Sequence, residues 1–129
     1  MDIANYHNEL SEAEQCICAF LQETFDRELT DATARIWHAH PVWFIDGNPV
    51  AGYSKLKDGI RVLFWSGQAF ETPGLQHEGK FKAAEIRITD FEHCRQLPWS
   101  AWLIEARQKQ WDYKNIIKRK GQLVPLTTW

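Results

Sequence analysis

The sequence predicts an α+β protein of two layers, an antiparallel sheet of about five strands with an N-terminal and a C-terminal helix packed on one face. Three features predict it. Residues 41–45, 49–56 and 60–66 are short runs rich in β-branched and aromatic residues, separated by Asp46-Gly47-Asn48-Pro49 and Lys57-Asp58-Gly59. Turns of that composition join antiparallel neighbours rather than βαβ crossovers. Ahead of them Ile17, Phe20, Leu21 and Phe25 recur at helical spacing, and a second helical pattern follows them near residue 100.

Residues 1–10 carry no firm pattern and read as a short turn or an arm. Ser11 with Glu14 three residues on is a capping box, so the first helix starts there and runs to about Arg27. Its apolar stripe faces the sheet, with Glu12, Gln15, Gln22 and Asp26 outside. Ala34 to His40 supplies a fourth strand. If Lys57-Asp58-Gly59 is a three-residue loop, Leu56 faces Ile60, Ser54 faces Val62 and Gly52 faces Phe64, an apolar side that also takes Val42 and Phe44. The other side then carries Trp43, Tyr53 opposite Leu63, Lys55 opposite Arg61, and Trp65, because side chains alternate with period two. A slip of one residue inverts the assignment.

Ser66 to Gly79 has no periodicity and reads as a long loop. Phe81 to Ile88 resumes a strand. Pro98 or Ser100 opens a helix expected to reach about Lys120, with a break near Trp111 as the alternative; Leu97, Ala101, Ile104 and Trp111 mark its buried side and Gly121 ends it. Lys118-Arg119-Lys120 would complement its dipole.

A chain of 129 residues is expected to form one domain, with a core over about 10–120 and arms at 1–9 and 122–129. A net charge of −2 excludes a general drive toward anionic partners, and nucleic acid is not expected. Charge is nonetheless uneven: residues 1–31 hold eight acids against Arg27, and 107–120 hold six bases against Asp112. Three cysteines form no even framework and no secretory leader is visible, so the expected compartment is the cytoplasm. No apolar run approaches the roughly 20 residues of a membrane helix.

His38 and His40, two apart in a strand, would point to one side and offer two imidazoles of an incomplete metal site. Cys16 and Cys18 would face apart on a helix, and a small buried hydrophobe is the better role for Cys18 and Cys94 than a nucleophile. The acids Glu9, Glu12, Glu23 and Asp26 could hold a hard cation, although a solvated helix face is the commoner use of such residues. The least ordinary feature is the outer sheet face. There Trp43, Tyr53, Lys55, Arg61 and Trp65 would hold a planar or anionic small molecule against aromatic rings. The alternatives are that the long loop or C-terminal segment covers these rings, or that a second copy does, giving a homodimer. No glycine-rich phosphate loop, Gly-x-Ser-x-Gly elbow or Cys-x-x-Cys pair occurs, so no enzyme class is indicated.

Ile36-Trp37-His38-Ala39-His40-Pro41-Val42-Trp43, then Asp46-Gly47 and Leu56-Lys57-Asp58-Gly59-Ile60, resemble the pattern of the YdhG-like bacterial proteins. That pattern is an aromatic, a short linker, Pro, an aromatic, a Gly turn and a Phe-Lys-Asn style hairpin, from which Leu56 and Asp58 depart. Lys82 followed by Ile86 is similar to the family's later Lys-Gly-x-Ile-Arg strand, with Ala83 in place of glycine. The resemblance covers residues 10–120 and implies a helix, about five antiparallel strands and a helix. One branch of the family is described as frataxin-like and proposed to handle iron for iron–sulfur assembly. For this chain that implies iron as the metal and Glu9, Glu12, Glu23 and Asp26 as the place to hold it; no ligand motif carries over residue by residue. The function expected is therefore a cytoplasmic, non-enzymatic domain that binds a small ligand or carries iron. The alternative is an interaction module that dimerises through its aromatic sheet face.

Overall fold

The computed structural model describes residues 1–129. Six antiparallel strands form one sheet: β1 (Thr33–Trp37), β2 (His40–Ile45), β3 (Asn48–Leu56), β4 (Gly59–Phe64), β5 (Gln76–His77) and β6 (Ala84–Ile88), in the order β1-β2-β3-β4-β6-β5. The helices are α1 (Ile3–Asn8), α2 (Glu12–Glu28), α3 (Phe91–Arg95) and α4 (Trp99–Gln108). The fold is α+β, as the sequence predicts.

Helix α2 begins at the expected capping box, with Ser11 Oγ accepting from the Glu14 N–H and the Glu14 carboxylate accepting from the Ser11 N–H. Its apolar stripe buries Ile17, Cys18, Leu21 and Phe25. Phe25 is the hub, with its ring centroid 5.0 Å from Trp43, 6.1 Å from Tyr53, 6.2 Å from Trp99 and 6.4 Å from Phe64. Strand β4 turns Ile60, Val62 and Phe64 into this layer, all fully buried.

Their neighbours on β3 differ from expectation. The hairpin loop holds two residues, Lys57-Asp58, so Leu56 pairs with Gly59, Lys55 with Ile60, Tyr53 with Val62 and Ala51 with Phe64. The parity of β3 is inverted relative to β4. Trp43 still shares a face with Tyr53, but it is the helix-covered face, and Val42, Phe44, Gly52 and Ser54 lie on the outer one. Energetics favour this side. Burying Trp43 and Tyr53 removes about 150–250 Å² of each from water. At about 25 cal/mol per Å² that outweighs what Gly52 and Ser54 would gain in their place.

The turn before β3 is also a two-residue one, Asp46-Gly47, with φ 48° and 80°. Positive φ at both positions is the type I′ geometry that matches strand twist. Val50 is then an extra residue, a bulge between the pairs Phe44–Pro49 and Trp43–Ala51. Turn plus bulge shift β2 against β3 as much as one three-residue loop, so that part of the expected parity is retained.

Three other elements depart from expectation. Residues 34–40 are not a single strand: His38 and Ala39, at φ 50° and 71°, turn the chain between β1 and β2. The 66–79 stretch contains a 3-10 turn at Gly67–Ala69 and the short β5. Helix α4 stops at Gln108 rather than near Lys120, and residues 110–129 run irregularly over the outer face. The cause is tertiary. Asn48, fully buried, donates its amide to Gln110 Oε1 and to the Trp111 carbonyl and accepts from the Lys114 N–H. Ser66 Oγ accepts from the Trp111 N–H, and Tyr113 Oη accepts from the Lys82 N–H. A continued helix would break all of these bonds and leave a buried Asn unsatisfied.

Candidate functional site

The five residues expected to form one ligand face are split between the two sides of the sheet. Trp43 and Tyr53 are buried in the core, each 1% exposed. The Trp43 indole donates to Asp26 Oδ1 at 2.9 Å, and the Tyr53 hydroxyl lies 2.6 Å from His7 Nε2. Burial pushes the Tyr53 phenol up and His7 down from their ordinary values, so both groups stay neutral. Lys55 is on the helix side too, its Nζ 3.5 Å from Glu14, and it does not face Arg61. Only Arg61 and Trp65 lie on the outer face. Arg61 is opposite Ser54 on one side and Arg87 on the other, and Glu85 pairs with Arg61 at 3.7 Å and with Arg87 at 2.9 Å. The expected Lys55–Arg61 pair is therefore corrected, for the single reason that the 57–58 loop is even in length.

The acidic positions are not brought together either. Glu9 ends α1, Glu12 starts α2, and Glu23 lies eleven residues further along it, about 16 Å at 1.5 Å per residue. Asp26 is engaged by the Trp43 indole. Nowhere do three or more His, Cys, Asp or Glu side chains converge closely enough to hold a metal ion. His38 lies within the turn and His40 opens β2, and no further ligating side chain joins them to make a metal site. Cys18 and Cys94 are fully buried, and burial pushes both thiols up to about 12, a state that disfavours the thiolate.

A different constellation assembles on the outer face. Trp65 packs against Gly52, where an added Cβ would stand 3.3 Å from its ring and 2.7 Å from the Pro41 carbonyl oxygen. Trp37 stands beside it, 6.3 Å from Trp65 and 5.5 Å from Phe44 in an edge-to-face arrangement. The Arg35 guanidinium covers Phe44, 3.9 Å from the ring centroid. Across from these rings runs the 113–117 segment, pinned by Asn48 and by Lys114, whose Nζ donates to the Asp46 carbonyl at 3.0 Å. Between the two is a cleft of about 340 Å³, walled by Trp37, Phe44 and Pro49 on the sheet and by Ile116 and Ile117 on the segment. Arg35, His38, Tyr113 and Lys114 are its polar groups. A larger hollow, about 490 Å³, lies between Trp111 and Trp129 but opens broadly to solvent.

None of the cleft residues belonged to the expected ligand face, although His38 was a candidate metal ligand. Trp37, Phe44 and Arg35 were legible as strand residues, yet their face depended on the parity of the sheet. The contribution of 113–117 had no local signal, because Asn48 and its partners are 62–66 residues apart in sequence. No family model, no curated protein and no solved structure matches the chain.

Proposed function

We propose that the protein is a small-ligand-binding or carrier domain whose ligand lies in the cleft between the outer sheet face and the 113–117 segment. The observation that carries this reading is the cleft itself. Its volume falls at the small end of the usual range for ligand sites, about 300–1,000 Å³. One wall is aromatic and rigid, because Trp37 and Phe44 stand on adjacent strands; the other is held in place by a fully satisfied buried Asn48. Such a site selects a flat, largely apolar molecule of one or two rings. Kinship with the YdhG-like proteins belongs to the same proposal; it rests on the strand-core residues quoted above and assigns no ligand.

The test is a titration with 1-naphthoate followed by the indole N–H resonances of the tryptophans. The Trp37 signal should shift in a saturable way, and Trp37→Leu should remain folded while losing most of the affinity. An unmoved Trp37 signal at millimolar probe would end the reading. The alternative of a homodimer draws on the same face: Trp37, Leu63 and Trp65 are only half-buried, and beside them Ile117 is 89% exposed. Light scattering separates the two, since a dimer closed over these rings would also exclude the probe.

A further inference from the structure

We infer that the ligand of this cleft is an anion, a carboxylate or other acidic group carried on a flat aromatic ring. The inference rests on the ligand-binding reading above and adds the charge of the ligand to it. The cleft is lined by three basic side chains, Arg35, His38 and Lys114, and by no carboxylate. Neither Arg35 nor Lys114 takes part in any ion pair of the molecule, although the chain has more acids than bases. In another part of the outer face two cations are compensated: Arg61 and Arg87 share Glu85. The acids of α2, among them Glu12, Glu23 and Asp26, are on the helix layer, with the sheet between them and the cleft.

The two cations are also arranged for a ligand of this shape. Arg35 is laid over Phe44 by cation–π contact, which holds its guanidinium at the aromatic wall. Lys114 is anchored on the opposite wall through its backbone N–H to Asn48 and through its Nζ to the Asp46 carbonyl. The ammonium donates three hydrogen bonds, so two remain for a ligand. A ring seated against Trp37 would carry its acidic group between these two charges. Burial of the ring lowers the local dielectric and strengthens both interactions relative to water.

Charge is isolated by comparing 1-naphthoate with 1-naphthamide, which share a ring system and differ in the anion. Isothermal titration of the full chain should give naphthoate at least a tenfold advantage that shrinks as ionic strength rises, while the weaker amide affinity stays constant. Arg35→Gln and Lys114→Gln should each cut naphthoate affinity severalfold and by clearly more than they cut the affinity for the amide. Arg87→Gln, on the same face but outside the cleft, should change neither. Equal affinities for the two probes would overturn the inference and leave the cleft reading standing. Binding of neither would overturn both. Both outcomes are read on the unmodified protein, so a variant that failed to fold would not shield the idea.

Discussion

The two faces of the sheet are closed in different ways. On the helix side a periodic apolar stripe on α2 meets Trp43, Tyr53, Val62 and Phe64, and Trp99 and Trp102 of α4 complete a layer whose centre is fully or nearly fully buried, with Phe20 and Phe91 half-buried at its margin. On the outer side the cover is an irregular segment fixed at a few polar points, chiefly Asn48, Ser66 and the backbone of Lys82. A helix laid on a sheet fills the surface continuously, because its side chains recur every turn. A strap fixed at points leaves space between them. The proposed cleft lies in that space, on the opposite side from the layer that holds the fold together.

The largest test of this contrast is Phe25→Ala. Its ring contacts four aromatic neighbours on the closed side, and truncation should cost about 3–5 kcal/mol of stability, read from the urea midpoint at unchanged slope. A loss below about 1 kcal/mol would show that the closed face tolerates cavities and is not what holds the fold.

A second test takes away charge. Glu105 of α4, 9% exposed, accepts from the Glu71 and Thr72 N–H groups at 2.8 and 3.0 Å and from Lys109 Nζ at 2.8 Å, tying the 71–72 loop to the helix layer. Burial alone would raise its carboxyl, but the bonds from Lys109, Glu71 and Thr72 prevail and hold it at about 2 against an ordinary 4.5. A depressed acid contributes fully above its ordinary value and loses that contribution as pH falls through 4.5 toward about 2. Glu105→Gln should therefore lower the melting temperature at pH 6, and its gap from the unmodified protein should close by about pH 2. A gap of constant size across that range would mean that ionised Glu105 does not tie the loop.

Much of this architecture was legible beforehand, and the one major error has a single source. The capping box, the α2 stripe, the antiparallel hairpins and the inward facing of Ile60, Val62 and Phe64 all follow from local spacing. What failed was the length of the loop at Lys57-Asp58-Gly59. Gly59 at the end of such a run serves equally as the last residue of a three-residue loop or the first residue of β4, and the two options differ in the parity of everything on β3. The composition held a corrective. Placing Gly52 and Ser54 inward and Trp43 and Tyr53 outward exposes the larger rings. The end of α4 was legible only as an alternative, a break near Trp111: nothing in Gln108-Lys109-Gln110-Trp111 itself breaks a helix, and the distant Asn48 makes the irregular path favourable.

The smallest effect concerns the turn beside the cleft. Two hairpins of the sheet place positive φ at both central positions, Asp46-Gly47 and His38-Ala39. The first uses the residue type that this geometry favours, whereas Ala39 holds φ 71° with a Cβ, at a cost of about 1–2 kcal/mol. Ala39→Gly removes that strain but adds about 0.5–1 kcal/mol of chain entropy to be lost on folding. The net expectation is a gain of roughly 0.5–1 kcal/mol, measurable as a rise of about 2–3 °C in melting temperature. Because the turn positions Arg35 and Trp37 on one strand and Phe44 on the next, naphthoate affinity should stay unchanged if the register of β1 on β2 alone orients them. A stabilised variant with weakened binding would show instead that the strain at Ala39 helps to hold the aromatic wall in place, and that the outer face, unlike the helix side, gives up some stability for the shape of its site.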